Sequence, residues 1–502
     1  MATQNNSLAS SSTTGLTRKL GLLGLAATGI CSMIGASINV VPFMIHRSVP
    51  GIGPYVLPAF MFAAIPAVLA AFAYIILASA MPRAGGSYIY ASRGLNPYLG
   101  FAASFSQWFG LSIVIGAVSY VVVPFLRDVA VALDWSGVAN ALNNGNVRLT
   151  ISLFFLWTFV WVNIRGIQLY ERTLVPLMFM MFALGGIVIV VGFLFNHQDF
   201  TSALLAKEGR TFIEPENTTF NLTTFLSASA LLFSSFIGFD SIAQAGGEAR
   251  NPTRSLPLAI AIAVVSVGLF YMLFTAAVYH AVPWSFVAQE ALTKDITAPS
   301  MLSYVLPSGW ALAIVAGAAV SLINDLPAML LSVSRLMFAW AEDGIFPKRV
   351  ATVHKTLHTP HIALIVSGAM ATIGIFGCHF AGDFFLGVDI MVTSMLVNFL
   401  LMCVTVITIN KKNPAIAADI KVVTSRKIQL MIAWSGTIFL SGFLIIHIWK
   451  DADAQADKWY FHSTPVWLIV MALATFIFFV KFNRLKKSGV DVITLFSKLP
   501  PE

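Results

Sequence analysis

Twelve runs of almost uninterrupted apolar residues limit how this chain can fold. They fall at about 20–45, 57–81, 99–123, 149–164, 173–195, 222–248, 256–281, 301–340, 361–377, 384–409, 428–449 and 463–481. A helix that crosses the hydrocarbon core of a bilayer needs about 20 such residues, and inside lipid each backbone N–H and C=O must find a partner within the fold, which selects α-helices. Composition agrees, since 58% of the residues are hydrophobic and 10% charged, far from a soluble domain. The loops between runs leave no room for a large catalytic domain. The chain holds no G-x-x-x-x-G-K-[ST], H-E-x-x-H or G-x-S-x-G pattern, so the expectation is a chain that is not an enzyme and uses no cofactor and no metal. The formal net charge of +8 is scattered as short clusters between apolar runs, which points to lipid headgroups and away from nucleic acid. Cys31, Cys378 and Cys403 lie in or beside apolar runs without metal or redox spacing and are expected to pack.

Residues 1–17 are Ser/Thr/Asn-rich and uncharged and read as a disordered tail. Arg18 and Lys19 then open a stretch too long for the apolar core of a signal peptide. With the N-terminus inside, 22 of the 30 Lys and Arg residues flank the inner ends of the helices. That excess predicts a multi-pass cell-membrane protein with both termini cytoplasmic. The stretches 196–221 and 450–458 are then outside, where Asn217 and Asn221 begin N-x-[ST] patterns that matter only in a eukaryotic host.

Two of the twelve segments look interruptible. Segment 1 contains Ile34-Gly35-Ala36-Ser37, and segment 6 contains Phe236-Ile237-Gly238-Phe239-Asp240-Ser241. Each glycine alone is explained as well by close helix packing. Their positions add something, because segments 1 and 6 open two successive five-helix units, and an odd helix count inverts one unit relative to the other. Matched broken helices in inverted repeats point to a substrate site at the membrane midplane.

Several separated motifs accompany these breaks. They are SMIGASINVVP in segment 1, MPRAGGSYIYASRGLNPYLGF after segment 2, NIRG after segment 4, SFIGFDSIAQAGGEARNPTRSLPLAI from segment 6 into the next loop, and SRLMFAWAEDGIFP with HTP after segment 8. In this order they resemble the amino acid–polyamine–organocation (APC) transporter superfamily over most of residues 18–410. The resemblance implies an all-α membrane protein of twelve transmembrane helices with a 5+5 inverted repeat of the leucine-transporter type. Residues 18–195 and 222–410 form the two repeats, 428–481 form helices 11 and 12, and 482–502 form a cytoplasmic tail. It also implies secondary transport of an amino acid by alternating access, either proton-coupled or by exchange. A polyamine or other organocation is the alternative substrate, and a channel-like ion uptake protein or a nutrient sensor is the alternative class.

The resemblance assigns the segment 1 break to the substrate carboxylate, with Gly35, Ala36 and Ser37 supplying amides left open at a half-helix N-terminus and Ile34 and Asn39 placed in the same substrate site. Carbonyls around Ser235, Phe236 and Ile237 face the ammonium group. Ser37 and Asn39 replace the glycine and aromatic residue usual in the family, and serve either as extra ligands or as helix contacts. Ser234 stands where relatives place an aromatic lid; Phe233 or Phe236 is the nearest substitute, and Phe239 is also placed near the cavity. Three aspartates fall in apolar segments: Asp240, Asp325 and Asp389. A carboxylate at such depth normally faces a wet cavity or a partner, so Asp240, Asn324 and Asp325 are the candidates for ion coupling and Asp389 is expected to be interfacial. The bland alternative for Asp240 is capping the second half of helix 6. Pro327 is expected to kink segment 8. Met181 occupies the place of a coupling lysine in some relatives, so that mechanism does not carry over. Glu248, Arg254, Glu342 and Asp343 sit where relatives make gating contacts. The expected partners are a small amino acid or amine, the bilayer, and protons as the candidate coupling ion.

Overall fold

The computed structural model describes residues 15–212, 219–306, 308–381, 385–454 and 459–501. The expected tail up to residue 14, Asn217, and the end of the acidic loop at 455–458 lie outside these. Among the described residues the chain is helical, with two isolated β-bridges and no strand. Among the described residues, eleven helices are long and apolar enough to cross a membrane. They correspond to segments 2–12: Gly53–Ala80, Pro97–Ala132, Gly145–Ile164, Ile167–Leu194, Leu222–Gln244, Pro252–Ala281, Gly309–Glu342, His361–Phe380, Leu386–Lys412, Arg426–Asp453 and Ser463–Lys487. The first apolar run is instead three short helices, Leu22–Met33, Ala36–Asn39 and Val41–Ser48.

Segment 3 is the hub, packing against segments 8, 9 and 10, while segment 7 packs on segments 1, 2 and 5. Segments 3, 8 and 10 are the most buried spans, and segments 11 and 12 leave most of their apolar surface outward, as lipid contact requires. The span boundaries that depart furthest from the sequence expectation are in segments 3 and 8. Segment 3 passes through Pro124 to Ala132, beyond the expected end at 123. Its 36 residues give a rod of about 54 Å at 1.5 Å per residue, so its end projects past a core of about 30 Å. There Arg127 and Asp128 pair at 2.6 Å. Segment 8 begins at Ser308, and the expected start near 301 belongs to a separate short helix, Ala298–Leu302.

Both ends of the described chain meet on one face. The Leu20 N–H donates to the Glu248 carbonyl and the Arg250 N–H to the Leu20 carbonyl, each at 2.9 Å. Residues 491–501 fold back onto the same side. The helix Val492–Ser497 buries Phe496, and the carbonyls of Ser497, Lys498 and Pro500 accept from Asn413 (2.9 Å), Arg93 (3.2 Å) and Arg83 (3.1 Å). We call this the terminus face and its opposite the far face. The C-terminal segment is therefore partly docked against the helices.

Candidate functional site

The helix Leu22–Met33 ends because Ile34 turns to an extended conformation, φ −92° and ψ 93°. The carbonyls of a last turn have no intrahelical partner, and here the Met33 carbonyl accepts from the Tyr271 hydroxyl. Gly35 is required by a close approach, because a Cβ at this position would fall on the carboxylate of Asp325. Gly35, Ala36 and Ser37 then begin the next helix, where first-turn N–H groups are unpaired; the side chain of Ala36 lies outside those described. Asn39 is buried and donates to the Ser321 hydroxyl at 3.1 Å and to the Gly35 carbonyl at 3.5 Å. It joins segments 1 and 8 in a region also lined by Ile34 and Met181.

Segment 6 is α-helical over Leu222–Leu232, tightens to a 3₁₀ turn at Phe233–Phe236, and opens at Ile237 with φ −76° and ψ 133°. Gly238 has φ 137°, a region closed to most L-residues, and a Cβ there would meet backbone atoms of Ser32 and Met33. The two breaks thus touch backbone to backbone, and the hydroxyls of Ser32 and Ser241 bond across them at 3.0 Å. Turn hydrogen bonds close on the carbonyls of Ser234, Gly238, Phe239 and Asp240; those of Ser235, Phe236 and Ile237 receive none of them.

Between the breaks lies a cavity of about 20 Å³ lined by Ser32, Ser37, Ser234, Ile237, Asp325 and Met329, with Val114 and Val118 of segment 3 and Val388 and Met391 of segment 10. That is space for about one water molecule, so a solute the size of an amino acid requires the surrounding helices to move apart. The aromatic residues proposed for the site do not line it. Phe236 packs on Phe60 and Tyr271 at centroid distances of 5.2 and 5.8 Å, and Phe239 on Tyr74 and Phe399 at 5.6 and 5.0 Å. Phe233 packs on Phe399 and Phe443, both at 6.1 Å. The hydroxyls of Ser234 and Ser235 are buried without a partner.

The two central aspartates differ in environment. Asp240 accepts from the Gly238 N–H at 3.2 Å and from the side-chain amide of Gln107 on segment 3. Its side chain therefore bonds back into the break and does not cap the helix that follows. A chain of buried side chains continues from Gln107 to Gln244 (3.4 Å), Ser87 (2.7 Å), Tyr74 (2.6 Å) and Asn398 (2.7 Å). Asp325 lines the cavity and leaves its Oδ1 buried with no hydrogen-bond partner. An unpaired buried carboxyl oxygen is costly to keep. Asn324 turns elsewhere, donating to the Cys31 sulfur at 2.9 Å. Segment 8 runs on as helix through Pro327, whose carbonyl accepts from Asn163 of the NIRG motif at 3.3 Å. Asp389 is half-buried at the far-face end of segment 10, where its backbone carbonyl contacts His447 at 3.2 Å.

Two ion pairs close the terminus face below the cavity. Arg335 holds Glu248 with two hydrogen bonds of 2.6 and 3.1 Å, and Arg93 holds Asp343 with two of 2.5 and 2.9 Å. All four side chains are at most 2% exposed. Of the expected gating residues, Glu248 and Asp343 are paired, whereas Arg254 and Glu342 are exposed. The loop motif supports this geometry locally: Asn251 takes a left-handed φ of 47°, which Asn tolerates, and Pro252 starts segment 7 where its missing N–H costs nothing.

A profile of the amino acid permease family matches residues 20–484. The chain belongs to that family, within the APC superfamily. Among its relatives, cationic amino acid transporter 4 of Mus musculus is 27% identical over 386 residues, covering 72% of this chain and 55% of the relative. The chain thus spans about half the length of that relative. The branched-chain amino acid permease of Bacillus subtilis (strain 168) is 27% identical over 423 residues, covering 80% of this chain and 82% of that one. The methylthioribose transporter of the same organism is 24% identical over 493 residues, covering 95% and 97%. The matched profile describes amino acid permeases, and these three relatives are named as transporters or permeases.

Proposed function

We propose that the chain moves an amino acid across the membrane by alternating access, as a secondary transporter of twelve helices in a 5+5 inverted repeat with the terminus face cytoplasmic. The abutting breaks of segments 1 and 6 carry this reading. Open N–H groups at Gly35–Ser37 suit a carboxylate, and the carbonyls of Ser235–Ile237 suit an ammonium group, so the two poles of an amino acid find opposite partners. Paired, buried ions on the terminus face and the water-sized cavity support a cycle in which one face opens while the other stays shut. The orientation rests on the excess of basic residues on the terminus face.

Asp325 favours a second reading of the substrate. A carboxylate exposed to the cavity is suited to a cation, either a coupling proton or the amino group of a basic solute, and the name of the mouse relative points to cationic amino acids. Asp240, held by Gln107 and Gly238, is assigned to fixing the break. Purified protein in vesicles, offered a panel of amino acids and polyamines with and without a pH gradient, tests both readings. Saturable uptake of an amino acid is expected. Linear, non-saturating flux of ions would favour a channel, and binding without movement would favour a sensor.

A further inference from the structure

On the far face, immediately outside the central cavity, segments 1, 3 and 4 border a vestibule of about 490 Å³, within the range of ligand sites. Val118 of segment 3 lines the central cavity, and Tyr120 and Val121 line the vestibule; Ser37 and Val41 of segment 1 line the first, Val40 and Met44 the second. About one helical turn, roughly 5 Å of rise, separates the two spaces. The vestibule is thus the last space a solute occupies on this side before the site.

The cations lining it are not equivalent. Arg47 pairs with Asp295, Arg127 with Asp128, and Lys294 with Glu290. Arg148, at the start of segment 4, pairs with no carboxylate among the described residues. It is nevertheless held in place. Pro124 has no N–H to give the Tyr120 carbonyl four residues earlier, and the Arg148 Nε takes that carbonyl at 3.2 Å. The guanidinium carbon lies 3.8 Å from the centroid of the Tyr120 ring, and the Tyr120 hydroxyl is fixed by His379 Nδ1 at 3.1 Å. These contacts use Nε and one face of the guanidinium. They leave Nη1 and Nη2 without a described partner, a planar fork whose geometry matches a carboxylate.

We infer that Arg148 is a carboxylate-docking site, at which an amino acid is held by its α-carboxylate in the vestibule before the central cavity opens to it. The choice of an amino acid as the carboxylate's owner rests on the proposed function.

The test uses full-length purified protein and matched probes, leucine with isopentylamine and arginine with agmatine, each pair differing in the carboxylate. Binding is read by thermal shift and uptake in vesicles. Arg148→Gln is expected to weaken binding of the amino acids about tenfold or more and to leave the amines unchanged. Uptake then shows a raised KM at an unchanged maximal rate, because the central site is intact. Arg148→Lys, which keeps the charge without the fork, is expected to recover part of the loss, and it carries the test if Arg148→Gln does not fold. Unchanged amino acid binding in both variants, an equal loss for acid and amine, or a wild type without preference for the acids would overturn the inference. The transport reading fails separately, on a wild type that binds the probes and does not move them.

Discussion

Removing the Glu248 charge on the terminus face should unlock that face. In the closed arrangement both Glu248 and Arg335 are 1% exposed, and two hydrogen bonds join them. Glu248→Gln leaves the Arg335 guanidinium buried without its counter-charge. Breaking a buried pair in this way costs about 3–5 kcal/mol. Opening the face hydrates Arg335 and relieves that cost, so the penalty falls on the closed state alone. At about 1.4 kcal/mol per tenfold, the ratio of open to closed protein should rise by roughly 10² to 4 × 10³. The assay is the labelling rate of a single cysteine at position 234, in a background without the three native cysteines, by an impermeant thiol reagent reaching the terminus face of sorted vesicles. Ser234 lines the cavity above the pair, so its labelling reports opening. The double variant Glu248→Gln with Arg335→Gln leaves no buried charge and should label more slowly than Glu248→Gln. A folded Glu248→Gln protein that labels at the parental rate would refute the assignment of this pair as the lock.

Three further outcomes follow from other contacts. Gly238→Ala forces a side chain into a φ of 137° against the backbone of Ser32 and Met33; the conformational strain alone is about 1–3 kcal/mol, and thermal unfolding in detergent should show the loss together with abolished uptake. Gln107→Leu strips Asp240 of a buried donor, at a cost of about 1–3 kcal/mol, and adding Asp240→Asn should give a combined loss in melting temperature smaller than the sum of the two single losses. On the far face, burial pushes the Glu290 carboxyl up but its ion pairs with Lys294 and Arg210 outweigh this and hold it below the usual carboxylate value. Its stabilisation is therefore complete above the ordinary glutamate value of about 4.3 and is lost as pH falls below it; melting curves across pH 3–7 should show that acid loss in the wild type and less of it in Glu290→Gln.

The spans were legible because bilayer crossing requires long apolar runs, and the breaks because Gly35 and Gly238 interrupt such runs without being needed for solubility. The distinction between the central aspartates was not. Asp240 is satisfied by Gln107, 133 residues away, and only the packing of segment 3 on segment 6 brings them together; Gln107 itself, a polar side chain inside an apolar run, was the available signal. Ser32, Val114 and Val118 were missed as cavity residues for the same reason, since nothing local marks which helix face turns inward. The aromatic residues misled because one residue of rotation separates a cavity wall from a packing cluster, and Ile237 and Gly238 impose a turn that spacing does not encode. The expected end of segment 3 at 123 fell short because the helix runs on through Pro124. Its freed Tyr120 carbonyl is taken by Arg148, which is invisible until segments 3 and 4 are side by side.

The account depends on Asp325 meeting the transported solute, or the ion that drives it, at the junction of the two breaks. Uptake of the preferred substrate into vesicles, by the wild type and by Asp325→Asn with and without an imposed pH gradient, measures this directly. The account predicts saturable uptake by the wild type and its loss, or the loss of its pH dependence, in the variant while the protein stays folded. Identical uptake by the two proteins under both conditions would contradict it.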